Sequence, residues 1–111
     1  MNTIAAIATA QASAGIGIVR ISGQKAIEIA DKVFVSASGK PLASRGGYCA
    51  ALGHVYDGTT KIDEAIALLF RAPKSYTGED VVELSGHGGP YIMSRILRAV
   101  LSAGAQPAQP G

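Results

Sequence analysis

Two segments of this sequence place their apolar residues at helical spacing, and the other apolar runs are strand-length and separated by turn signals. Ala26, Ile27, Ile29, Ala30, Val33 and Phe34 form one stripe, with Lys25, Glu28, Asp31 and Lys32 mostly opposite. Ile92, Met93, Ile96, Leu97, Val100 and Leu101 form the other, with Arg95, Arg98 and Ser102 facing away. Ser22 occupies a good N-cap position before the first stripe. Pro90 suits the first turn of the second helix, and Gly104 suits its stop.

Between and before these helices lie the strand candidates. TIAAIAT (Thr3–Thr9) leads through the loop QASAG to IGIVRI (Ile16–Ile21), which carries branched residues on both faces. SASGKPLASRGG (36–47) is rich in Ser, Gly and Pro and reads as a loop. YCAALGHVY (Tyr48–Tyr56) and IDEAIALLF (Ile62–Phe70) flank DGTT (57–60), a hairpin signal, although Ala and Leu leave a helix open in the second run. KSYTGED then leads to VVELS. The expected order is β-β-α-β-β-β-α, an α+β domain with a mixed sheet and two helices. No internal repeat or second domain is visible, and the tail AQPAQPG reads as a linker or a cut edge.

The 111 residues suit one compact domain that buries roughly two-thirds of the surface of its unfolded chain. With 48% hydrophobic and 16% charged residues, the chain is too apolar for disorder, and it hints at surface covered by a partner. A net charge of +2 without a Lys/Arg cluster does not describe a nucleic-acid surface. Cys49 is alone, so no internal disulfide forms, and no CxxC or HxxxH spacing is present to hold zinc. A reducing, cytoplasmic setting is the simplest expectation. The N-terminus lacks the basic segment of a signal peptide, and nothing approaches transmembrane length.

Two charges are out of place. Arg20 shares a strand face with Ile16 and Ile18, and Glu83 shares one with Val81 and Ser85. A charge among strand apolars is costly without a partner. Either one sheet face is wet or the two simply pair, or they serve a polar ligand. In that last case Glu83 accepts paired N–H donors and Arg20 meets an oxygen-rich group. SGHGG (85–89) reads as a tight turn between strand and helix in which Gly supplies positive φ. The alternative is that Gly86 and Gly88 let the backbone approach a ligand closely. GIG (15–17) fails as a dinucleotide fingerprint, because Arg20 stands at the third glycine position and a strand follows. No GxxxxGK[ST] loop is present. His87 has no GxSxG serine or reactive cysteine to serve, so a small hydrolase or transferase built on it is the weakest reading. His54 reads as a packed or edge histidine, Cys49 as a small buried hydrophobe, and Tyr76 as a loop residue that either covers the sheet or stacks on a flat ligand.

TIAAIAT leading to GIGIVRISG, and then SYTGEDVVELSGHGGP, resembles the N-terminal domain of the MnmE (TrmE) family of tRNA-modification GTPases over essentially the whole chain, 1–111. The closing AQPG is similar to a family segment that runs on into further residues, so the resemblance implies a fragment. It implies a fold similar to the tetrahydrofolate-binding domain of aminomethyltransferases. It also implies that two such domains associate as a homodimer and bind 5-formyltetrahydrofolate or another tetrahydrofolate derivative, which supplies a one-carbon unit to the wobble uridine of tRNA. Residue by residue, it implies folate contacts at Arg20 and Glu83; a further family lysine lies beyond this sequence. QASAG departs from the family's Pro/Gly loop with its basic residue, so the resemblance carries no site assignment to residues 11–14. The resemblance further implies an FAD-dependent partner, MnmG (GidA), and a separate G domain that uses GTP, potassium and magnesium. This chain by itself is expected to be non-catalytic. The rival expectation is a dimerisation scaffold in which Arg20 and Glu83 pair across the interface and no folate binds.

Overall fold

A computed structural model describes residues 2–9, 14–72 and 78–108. Tyr76 and most of the QASAG loop lie outside the described residues. The elements run β1 (Ile4–Ile7), β2 (Ala14–Ser22), α1 (Ala26–Val33), β3 (Phe34–Ser36), a 3-10 turn (Leu42–Ser44), β4 (Cys49–Asp57), β5 (Thr60–Phe70), β6 (Val81–Gly88), α2 (Pro90–Ser102) and β7 (Gln106–Pro107). The strands form one mixed sheet in the order β3-β4-β5-β6-β2-β1-β7, in which only the β1–β7 pairing is parallel.

The expected mixed sheet and two helices are present, with two short strands added. Phe34 keeps the parity of the helical stripe but is already extended, and it starts β3. The tail expected to be a linker contains β7, where Gln106 N–H donates to Thr3 O at 2.8 Å and Ala108 N–H to Ala5 O at 3.1 Å. Two residues with a proline give no periodic signal, so only tertiary pairing reveals that strand.

Ser22 is not the cap of α1. It stays in the sheet opposite Ile4 and Val81, and the helix begins at Ala26. Gly23 turns the chain there with φ +143°, packed so closely on Thr3 that a Cβ would lie 2.6 Å from its hydroxyl. Buried Thr3 supplies the capping oxygen instead, accepting Lys25 N–H at 3.0 Å from across the chain. The 57–60 hairpin forms as expected: Asp57 pairs with Thr60, and Gly58 has the positive φ (+60°) of a primed turn.

Both helices cover the same sheet face. Val19, Leu84, Ala67 and Ala51 stand in register across β2, β6, β5 and β4, and all four are buried in the core with Ile29, Ile96 and Val100. The alternate residues form the opposite face, in the rows Ala6–Arg20–Glu83–Leu68–Ala50 and Ile18–Ser85–Ile66–Leu52. This open face carries five of the large apolar side chains that remain exposed: Ile4, Ile16, Val35, Leu52 and Ile66. Alternation that buries one face normally leaves a polar one behind. Here it leaves an apolar one, as the chain's high apolar fraction foreshadows.

Candidate functional site

The two misplaced charges meet on the open face. Arg20 and Glu83 are direct cross-strand partners, and Arg20 Nε donates to Glu83 Oε2 at 2.8 Å. Glu83 is only 7% exposed, whereas over a third of the Arg20 side chain reaches solvent. The carboxylate is therefore held at a fixed place in an apolar surface by a cation that cannot lose its charge. Of the sequence readings, pairing is observed, and it joins two strands of one chain where the scaffold reading expected it across an interface.

Beside this pair lies a hollow of about 300 Å³ lined by Ile4–Ala8, Arg20, Ser22 and Ala108. Its border is mostly apolar, with the guanidinium as its charged group. Ser22 Oγ donates to Glu79 Oε2 at 3.3 Å. That contact joins this hollow to a larger one of about 360 Å³ bordered by Asn2, Gly23, Gln24, Ala72 and Gly78–Asp80. Asp80 is committed to the fold: its Oδ1 accepts Ala72 N–H at 2.9 Å and its carbonyl accepts Gly23 N–H at 3.0 Å.

SGHGG is not a turn. β6 continues through Gly88, and none of Gly86, Gly88 and Gly89 has positive φ. Close packing explains Gly86 and, on the neighbouring strand, Gly17. A Cβ on Gly86 would lie 2.6 Å from Asp63 Oδ2, and one on Gly17 would meet Met93 and, at 3.1 Å, the Cα of Gly88. The helix begins at Pro90, as the sequence predicts, with Gly89 extended at the cap position.

The carboxylate behind Gly86 is a feature that sequence reasoning missed. Asp63 accepts two bonds from His87: the backbone N–H at 2.8 Å on Oδ2, and Nδ1 at 2.7 Å on Oδ1. Asp63 is nearly buried and the imidazole is 73% exposed. The Asp63 hydrogen bond, then its charge, raise the His87 pKa above the usual 6.5, with a smaller contribution from Glu64. One signal was available in the sequence. Asp63 has the parity of Ala65, Ala67 and Leu69, the core-facing side of β5, where an acid needs a partner. His54 faces Glu64 in the β4–β5 register, and Cys49 is a free, half-buried thiol packed against the core. Among the described residues no cluster of three metal-ligating side chains occurs.

The sequence profile described as "GTP-binding protein TrmE N-terminus" matches residues 3–111. This chain belongs to that family. It is 51% identical to the tRNA modification GTPase MnmE of Symbiobacterium thermophilum, with 99% of the chain and 24% of that relative covered. The MnmE proteins of Chlorobaculum tepidum (50%) and Caldicellulosiruptor saccharolyticus (49%) match over the same shares of the two chains. The chain thus spans about a quarter of the length of the curated relatives it matches. Membership of the TrmE N-terminal family agrees with the sequence resemblance and with the α+β sheet. No helix among the described residues is long and apolar enough to cross a membrane.

Proposed function

We propose that this domain binds a tetrahydrofolate derivative, with 5-formyltetrahydrofolate as the test ligand, and self-associates through its open sheet face. It would do so as the N-terminal part of a GTPase that modifies the wobble uridine of tRNA. The observation that carries the reading is the Arg20–Glu83 pair, set in an apolar face at the margin of a hollow of about 300 Å³. Pockets for small flat ligands are typically apolar with a few fixed polar groups, and this one has that character. A fixed carboxylate suits the paired N–H donors of an aminopyrimidine edge, and apolar strand residues suit the faces of aromatic rings. When bound, the folate supplies the one-carbon unit. The residues of this chain orient it: Glu83 reads the donor edge, Arg20 holds that carboxylate in place, and Ile4, Ala6 and Ile7 exclude water.

Homodimerisation is supported by the five exposed apolar side chains on one face, since apolar side chains gathered on one surface mark contact sites. Cytoplasmic residence and action with MnmG (GidA) on tRNA follow from the family reading. GTP, potassium and magnesium belong in that reading to the G domain, outside this sequence. A scaffold without folate is the second reading, with one change from its sequence form: Arg20 and Glu83 compensate each other within a single chain and not across an interface. Equilibrium dialysis against 5-formyltetrahydrofolate, run beside sedimentation of the same samples, separates the two. Self-association without ligand uptake at millimolar folate supports the scaffold; uptake that Glu83→Ala abolishes supports the folate site.

A further inference from the structure

Toward the other end of the open face from Arg20, His87, held by Asp63, borders a second hollow. This one is about 190 Å³, lined among others by Ile16, Leu52, Glu64, Ile66, Ser85 and His87. Its construction is specific. One nearly buried carboxylate fixes both the backbone and the ring of His87, and Gly86 is bare where that carboxylate must pass. With Nδ1 bound to Asp63, Nε2 lies on the side of the ring away from the carboxylate, and the ring is largely exposed. A histidine needed only to close the sheet would be held by its backbone bond alone.

His87 is also in line with the candidate site. Glu83, Ser85 and His87 are alternate residues of β6, so the first and last are about 13 Å apart along the strand at roughly 3.3 Å per residue. Between them the open face presents Ile18, Ile66 and Leu52. An elongated ligand with a polar edge at one end, an apolar middle and a second polar group fits this track. We propose that His87, held by Asp63, is the second polar anchor of the open-face ligand, donating a hydrogen bond from Nε2 to a neutral carbonyl oxygen. The inference rests on the folate reading and adds a residue to it.

The neutrality of the acceptor follows from the surroundings. The charged groups acting on His87 are Asp63 and Glu64, both from β5, while β2 presents only Gly15 and Ile16 there. Two carboxylates around one imidazolium disfavour an anionic acceptor, and a formyl or amide carbonyl meets no such repulsion. Donation from Nε2 requires the protonated ring, because a neutral ring whose proton sits on Nδ1 offers Nε2 only as an acceptor. The raised pKa keeps the donor form present to higher pH than in an ordinary histidine.

The test is calorimetric titration of 5-formyltetrahydrofolate into the 111-residue chain from about pH 5.5 to about pH 8.5. The wild type should lose about tenfold in affinity as pH rises, the scale of one charge-assisted hydrogen bond. His87→Gln should bind more weakly at low pH and show no such decline. Asp63→Asn, checked for folding by circular dichroism, should shift the decline to lower pH. His87→Gln binding with wild-type affinity and wild-type pH dependence overturns the anchor while leaving the folate reading intact. A wild type that fails to bind at any pH overturns both.

Discussion

Arg20 stands directly across from Glu83 on the neighbouring strand, its Nε 2.8 Å from a carboxylate oxygen that the fold otherwise almost buries. The row continues through Ala6 on one side and Leu68 and Ala50 on the other, so the pair is a charged island in an apolar surface. Breaking a buried pair from one side strands the remaining charge, whereas an exposed pair contributes little. This pair lies between those limits.

Arg20→Ala should therefore destabilise the domain by about 2 kcal/mol, below the range for a fully buried pair because the guanidinium is partly solvated. Glu83→Gln, which leaves a neutral side chain of similar shape, should cost less. Urea denaturation followed by circular dichroism measures both. Equal costs for the two variants would show that Arg20 does not compensate Glu83.

The Asp63–His87 bond makes stability depend on pH with a definite sign. The folded-state pKa of His87 lies above the unfolded value near 6.5, so its contribution is full below that value. It is lost as pH rises through the folded pKa. The difference in thermal midpoint between wild type and His87→Gln should accordingly be larger at pH 5.5 than at pH 8.5, both approximate settings on either side of a histidine titration. An NMR titration of the His87 ring should give a pKa above about 6.5 that returns toward it in Asp63→Asn.

Glycine substitutions should rank by what the new Cβ meets. At Gly53 it would run into the Val35 carbonyl and the Phe34 ring; at Gly86 it would lie 2.6 Å from Asp63 Oδ2. At Gly17 the nearest atoms belong to the flexible Met93 side chain, which can move, and the Gly88 Cα stands farther off at 3.1 Å. Alanine at Gly53 should be the most damaging, Gly86 intermediate at about 1–3 kcal/mol, and Gly17 mildest. Gly86→Ala should also return the His87 pKa toward its usual value, a readout that simple overpacking elsewhere would leave unchanged.

Charges placed on the open face should weaken self-association without unfolding the chain. Leu52→Asp and Ile66→Lys alter exposed side chains away from the helix-covered core. Sedimentation equilibrium should find the wild type associated and these variants shifted toward monomer, with unchanged circular dichroism. A wild type that stays monomeric at high concentration argues against this face as the contact.

Much of the fold was legible because periodicity is a local signal. The two helical stripes, the Asp57–Thr60 hairpin and the strand positions of Arg20 and Glu83 can all be read from side-chain spacing. Features fixed by distant partners could not be read in this way. Thr3 replaces Ser22 as the oxygen for the α1 terminus because Ser22 is held in the sheet by Ile4 and Val81. Gly86 and Gly88 looked like turn residues, yet both are strand residues, and Gly86 is bare where Asp63 approaches. Parity showed only that Arg20 and Glu83 each stand among apolar residues of their own strand; that they share a face and are register partners depended on the β2–β6 pairing. Asp63 gave the faintest cue, an acid on the core-facing parity of its strand.

Calorimetric titration of 5-formyltetrahydrofolate into the wild type and into Glu83→Ala bears most directly on the proposed function. Saturable binding by the wild type, lost in a Glu83→Ala variant that keeps its circular dichroism spectrum, is the predicted result. Absence of binding by the wild type at millimolar ligand, or undiminished binding by Glu83→Ala, contradicts a folate site at the Arg20–Glu83 pair.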